Sequence, residues 1–282
     1  MHQLDVQPKI FATCVVAILF SGKVALASES SQSIPPFSPG ERLTYKLSWG
    51  PFGVGSAFSE VKGFRNVDDE CAYKFTFFVK TNPFGDLFYK VRNRYTSLAG
   101  LGLKRALVYT RRENEHKKSR NVDIIFNWYT RSVQYIREGV GRDPVPLPES
   151  ALDPLSSIFA ARLLELKKGA NYSMNVTDGK YVEKVKIEVG KERRHRNKVG
   201  DFDVQIVTLD FGMIATAFGK KKRAFAEVWV SNDQYRVPVR MQGRAMWGTF
   251  RAELVAVKRN ALSQSIFAQA GHPKMGCSEV TD

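Results

Sequence analysis

The chain has 282 residues, with 43 Lys and Arg against 28 Asp and Glu, a net charge of +15. A chain of this length can bury most of its unfolded surface, so it needs neither a structural metal nor a dense disulfide framework to fold. With three cysteines and four histidines, it is poorly supplied for zinc modules or disulfide scaffolds.

Between Lys9 and Lys23 lies the uncharged run IFATCVVAILFSG. It is shorter than the roughly 20 apolar residues a spanning helix needs, but suits the core of a signal peptide. Ala25-Leu26-Ala27 follows, with small residues where a signal peptidase reads, so 1–27 reads as a signal peptide cleaved before Ser28. Cys14 opens the apolar core instead of following it, the wrong place for lipid attachment. The expected address is the periplasm, with association at the outer membrane open. Without the signal the charge stays strongly positive. For an exported protein that balance points away from nucleic acid and toward anionic lipid or polysaccharide of the envelope, or another envelope protein, with room for peripheral membrane contact.

The Ser- and Pro-rich stretch 28–39 reads as a disordered leader, and 40–258 as one β-rich domain. Leu43, Tyr45, Leu47 and Trp49 alternate with polar residues as a half-buried strand, and Gly50-Pro51 ends it. The chain restarts through Gly53, Gly55 and Ala57, small residues that let a hairpin curve or let Trp49 lie over bare backbone. Alternation recurs in CAYKFTFFVKT, FYKVRNRYTSL, RALVYTRRE, RNVDIIFNW and RSVQYIREG. After residue 170 it returns in NYSMNV, the Asp178-Gly179 turn, and five further strand-like runs to Lys258. Short strands joined by turns predict a mainly β fold, a strongly curved antiparallel sheet of half-barrel or barrel-like form. Residues 153–169 interrupt it. Asp153 caps, Pro154 fits the first turn, Leu155, Ile158, Phe159, Leu163 and Leu166 form a stripe, and Gly169 stops a helix near 154–167 packed on the sheet. Residues 259–282 read as a loosely ordered tail. If Cys71 and Cys277 pair in an oxidising compartment, the tail is clamped by a bridge worth about 4–5 kcal/mol on the loop-entropy account.

Three segments carry a family likeness: PGERLTYKLSWGPFGVGSA, LDPLSSIFAARLLELKKG and VWVSNDQYRVPVRMQGRAMWGTFRAEL. Their most specific positions are Glu41, Tyr45, Trp49 and Gly50, then Asp153, Pro154 and Ser156, then Trp229, Arg236 and Pro238. In order and spacing the chain resembles an exported bacterial family catalogued as domain of unknown function 3108. The resemblance implies a curved β-sheet envelope protein and brings no established reaction or cofactor. The last segment also looks like sheets of the lipoprotein-carrier and lipid-carrier type.

No catalytic signature emerges from the residues. His116 and His195 sit among cations, which oppose metal binding, and no histidine pair has ligand spacing. No metal or cofactor is expected. Asp153 and Ser156 read better as a helix cap than as a nucleophile with its base. Three basic clusters are candidate anion sites: Arg111, Arg112, Lys117, Lys118 and Arg120; Arg193, Arg194, Arg196 and Lys198; and Lys220, Lys221, Lys222 and Arg223. One strand separates the second from the third, which places them at opposite ends of a meander. The leading expectation is a non-enzymatic periplasmic protein that handles an anionic, partly apolar envelope component or assists envelope assembly. The alternatives are a polysaccharide hydrolase with a carboxylate pair drawn from Glu113, Glu115, Asp123, Glu183 or Glu227, and a structural partner of another envelope protein.

Overall fold

A computed structural model describes residues 35–215, 221–245, 248–259 and Cys277, with side chains for all of these except 212–215, 221–224 and 244–245. The signal region, leader residues 28–34, Lys220, and all of the tail beyond Arg259 except Cys277 lie outside the described residues. The strands run β1 (Arg42–Trp49), β2 (Phe52–Val67), β3 (Glu70–Thr81), helix α1 (Pro83–Phe88), β4 (Arg92–Gly100), β5 (Ala106–Glu115), β6 (Lys118–Asn127) and β7 (Ser132–Arg137). Two short pieces follow, β8 (Val140–Gly141) and β9 (Val145–Pro146), then helix α2 (Pro154–Ala161). After α2 come β10 (Asn171–Thr177), β11 (Val182–Arg196), β12 (Asp201–Ala215), β13 (Lys221–Ser231), β14 (Pro238–Ala245) and β15 (Gly248–Lys258).

All strands belong to one antiparallel sheet, ordered β10-β11-β12-β13-β14-β15-β1-β2-β3-β4-β5-β6-β7-β8, with β9 on β7. The first strand lies at its middle, held between β15 and β2. The sheet is not closed into a barrel, yet it curls far enough for its distant parts to touch. A Cβ at Gly179, in the β10–β11 turn, would stand 3.1 Å from Ile124 of β6 and 3.2 Å from Tyr135 of β7. Residues 151 and 152 stitch across the remaining gap: Ala106 N–H donates to Ala151 C=O at 2.9 Å, and Leu152 N–H to Asn175 C=O at 2.9 Å.

Helix α2 fills the curl. Phe159 stacks on Phe75 of β3 with ring centroids 3.8 Å apart, and Leu155 and Ala160 join the same buried cluster. The helix stops at Ala161, short of the expected 167. Arg162 turns its guanidinium into the interior there, and Leu164 and Leu166 pack on a separate cluster with Val185, Ile187 and Val207. The sequence also hides α1, which is capped by the Asn82 side chain accepting from Gly85 N–H at 2.8 Å: the expected strand FYKVRNRYTSL opens with Phe88, the helix's last residue, and β4 begins only at Arg92.

The leader is ordered at its end. Phe37 is buried edge-on against Phe159 at 5.3 Å, and Gly40 N–H donates to Val61 C=O. Cys71 and Cys277 form a disulfide with Cα atoms 5.9 Å apart across 206 residues of chain.

Candidate functional site

Several of the positions that carry the family likeness are structural: Glu41 and Arg236 join one interior network through Arg162, while Asp153 with Ser156 and Trp49 with Gly50 hold other parts of the sheet. Arg162 and Glu41 form a fully buried bidentate pair, Nη1 to Oε1 at 2.6 Å and Nη2 to Oε2 at 3.2 Å. The same guanidinium donates to the carbonyls of Pro36, Tyr235 and Arg236, and Arg259 adds a bond to Glu41 at 3.1 Å. Arg236 returns the contact by donating to the carbonyls of Arg162 and Leu164, which close the end of α2. Tyr45 donates to Pro238 C=O at 3.0 Å, and burial pushes its phenol well above the ordinary range. Asp153 accepts from Leu155 and Ser156 N–H and from the hydroxyls of Ser97 and Ser156, both at 2.6 Å. Thus Ser156 is bonded to a capping carboxylate and packed away from solvent. Gly50 takes φ +55° in the turn, while Trp49 stacks on Phe250 at 5.8 Å. These residues tie the leader, α2 and the β13–β14 turn to the sheet.

The basic clusters disperse. Arg111 pairs with Glu113 at 2.6 Å, Arg112 with Asp123 at 2.7 Å, and Arg120 with Glu115 at 3.0 Å, leaving Lys117 and Lys118 exposed on the β5–β6 turn. Arg193 lies over the Trp229 ring at 5.2 Å, Arg196 faces Asp201 at 3.4 Å, and Arg194 and Lys198 are exposed. Strand β12 separates their turn from the start of β13, where Lys221, Lys222 and Arg223 stand and whose side chains are outside the described set.

His195 meets Glu253 at 2.6 Å, Glu253 meets Arg240 at 2.6 Å, and Arg240 and His195 flank Trp229. Among the described residues no three His, Cys, Asp or Glu side chains gather as a metal site. Glu113 and Glu115 both bond Arg120, and Glu115 also accepts from Asn93 and Tyr89.

A recess at the far end of β4 is a different kind of surface. It has a volume of about 870 Å³ between the β4–β5 and β6–β7 turns, residues 149–152 and β10. Trp128 lines it, fixed by its Nε1–H donating to Ala106 C=O at 2.7 Å and stacked beside Phe126. Arg105 covers the Trp128 ring at 4.9 Å. Lys104 and Arg131 add two exposed cations, Leu101 and Met174 apolar wall, and Glu70 and Glu149 the opposing charges. Backbone bonds from Ala106 and Leu152 hold the floor. A fixed indole beside a stacked guanidinium suits a ligand with an apolar body and an anionic group. Sequence reading counts Trp128 among the strand aromatics and passes over Arg105; their pairing arises only when the two turns meet in space.

The fold defines a class of open, curled antiparallel β-sheet proteins with a helix inside the curl. Within it, the chain belongs to the family described as protein of unknown function (DUF3108), whose sequence pattern matches residues 44–255. Among solved structures it is similar to a β-barrel-like protein of domain of unknown function DUF1849 from Brucella abortus, at TM-score 0.51 and 13% identity, over 80% of this chain and 99% of that one. Weaker likenesses link it to a protein from Parabacteroides distasonis described as a lipoprotein (TM-score 0.37, 11% identity, 79% and 98% covered) and to one from Bacteroides fragilis described as exported with a YmcC-like fold (0.35, 9%, 79% and 98%). No curated protein matches.

Proposed function

We propose that this is an exported envelope protein that binds an anionic, partly apolar envelope component in the recess beside Trp128. One observation carries the reading: the Trp128 ring, locked by its bond to Ala106, with the Arg105 guanidinium stacked on it and Lys104 and Arg131 around the same opening. The apolar N-terminal run and the +15 charge support the export and the sign of the ligand. Export is tested by the N-terminus of the protein recovered from the periplasm, which begins at Ser28 on this account. Binding is tested by titrating the purified mature protein with lipopolysaccharide, a short-chain phosphatidylglycerol that stays monomeric, and an acidic oligosaccharide, each followed by calorimetry. At least one binds, more weakly as salt rises, and Arg105→Ala with Trp128→Ala removes most of that affinity. Binding to none of the three, or binding untouched by the double variant, sinks the proposal.

A further inference from the structure

The end of the sheet opposite the recess is built from alternate connections of the meander: the β1–β2 turn, α1 with its flanks, and the β5–β6 turn. Asn82 anchors α1 beside β2, donating from Nδ2 to Gly53 C=O at 2.8 Å, and His116 N–H donates to Lys90 C=O at 2.7 Å. Along this rim run Phe52, Phe84, Leu87, Phe88 and Tyr89, with Phe52 against Phe84 at 5.6 Å and Phe84 against Phe88 at 5.3 Å. They are not packed away: Leu87 is 81% exposed, Phe88 62% and Phe52 58%. Leu87 and the outer face of Phe88 stay in solvent although the helix is anchored through Asn82 and Phe84, and an exposed apolar patch of this kind marks a surface for something outside the fold.

Charge decides what that is. Lys80, Lys90, Lys117 and Lys118 are exposed around the apolar tips. The acids of the rim are already engaged: Asp86 by Arg92 at 2.8 Å and by the Thr81 hydroxyl, Glu115 by Arg120 and Asn93. The surface is therefore projecting, apolar at its tips and ringed by lysines that form no salt bridge among the described residues. A protein partner calls for a flat or grooved face with matched polar groups; protruding Leu and Phe within a cationic ring suit the interface of an anionic bilayer.

We propose that this rim docks the protein onto the surface of an anionic phospholipid bilayer, with Leu87 and Phe88 entering the interfacial region and the lysines meeting the head groups. The recess then faces away from the membrane, since β4 runs from Arg92 at the rim to Gly100 at the recess, roughly 25 Å. The two sites stand or fall separately.

The test is flotation of the mature protein with phosphatidylcholine vesicles, with and without phosphatidylglycerol. The protein binds the anionic vesicles preferentially and is released by salt. Leu87→Asp with Phe88→Ser weakens binding roughly tenfold or more, and Leu87→Trp strengthens it. Both positions are largely exposed, so the variants keep the wild-type melting temperature, which is checked in parallel. Three results overturn the proposal: no binding to either vesicle, equal binding to both, or anionic binding that the double variant leaves unchanged. A wild-type dimer that the double variant dissociates, with no vesicle binding, overturns it in favour of self-association.

Discussion

The Arg162 guanidinium and the Glu41 carboxylate face each other almost without solvent, residue exposures being 2% and 1%. All three nitrogens of Arg162 donate, to Glu41 and to three carbonyls from the leader and the β13–β14 turn. Removing one member of such a pair strands the other in low dielectric, at about 3–5 kcal/mol. Arg162→Met is therefore expected to lower unfolding stability by that amount, softened by the Arg259 bond to Glu41. Arg162→Lys loses most of the same energy, because an ammonium cannot fork onto a carboxylate while reaching three carbonyls. Glu41→Leu combined with Arg162→Met recovers part of the loss. Denaturant melts measure all three, and an Arg162→Met variant as stable as wild type contradicts the account.

Asp153 predicts a pH dependence. Burial pushes its carboxyl above the usual carboxylate range, against the hydrogen bonds from Ser156, Ser97 and Leu155 that pull it down. In the unfolded chain the group ionises near pH 4. Between that pH and the raised native value, the unfolded state has released a proton that the native state still holds, so stability falls as pH rises through the window. Asp153→Asn keeps a cap and removes the titration. Its melting temperature should match wild type below about pH 4 and gain on it above. Asp153→Ala should lose about 0.5–2 kcal/mol at every pH, from the missing cap. A wild-type minus Asn difference that does not move with pH refutes the assignment.

Much of this was legible in the sequence, because period-two alternation records a sheet with one buried face. Leu43, Tyr45, Phe75, Ile124 and Phe126 are all buried, as their alternation requires. The Asp178-Gly179 turn stands where its residues demand, with Gly179 at φ +86°. The end of α2 was hidden because Leu163, Leu164 and Leu166 continue an apolar pattern, yet serve different clusters. The single Arg in that apolar stretch was the overlooked signal, since a cation inside an apolar stripe needs a buried partner. Helix α1 was hidden by its length: its six residues fall between two strand-like runs and give too little periodicity to be read as a helix. The Trp128–Arg105 pair leaves no linear trace. A basic run in the sequence does not show which of its charges are paired: Arg111, Arg112 and Arg120 each face a carboxylate of β5 or β6.

The glycines after Gly50-Pro51 separate into two kinds. A Cβ on Gly55 would sit 2.2 Å from the Lys80 carbonyl oxygen, while one on Gly53 meets only the flexible end of Lys46 at 3.1 Å. Trp49 leans on another glycine altogether, Gly248, whose Cβ would come within 2.9 Å of the indole Nε1. Gly55→Ala must push β2 from β3 and should cost about 1–3 kcal/mol, the range for overpacking a closed contact. Gly53→Ala should stay within about 0.5 kcal/mol of wild type, as surface changes do. Thermal melts of the two variants decide it; equal losses would mean that the β2–β3 contact is not what fixes the glycine.

The disulfide joins the second turn of the sheet to the far end of the chain. Cys71 is the second residue of β3, and its partner is 206 residues away, so the bond closes every strand after β2 into one loop. Loop-closure entropy for a ring of that size is worth about 5 kcal/mol to the native state, acting on the unfolded chain and not on the sheet itself. Reduction should therefore shift the urea midpoint down strongly while leaving the native far-ultraviolet spectrum unchanged, because the ladder from β10 to β8 is complete without it. Cys71→Ser should reproduce the reduced protein and become insensitive to reductant. The comparison also locates the effect: unfolding of the oxidised and reduced forms should differ mainly in midpoint. A change of native spectrum on reduction would instead show that the bridge shapes the sheet.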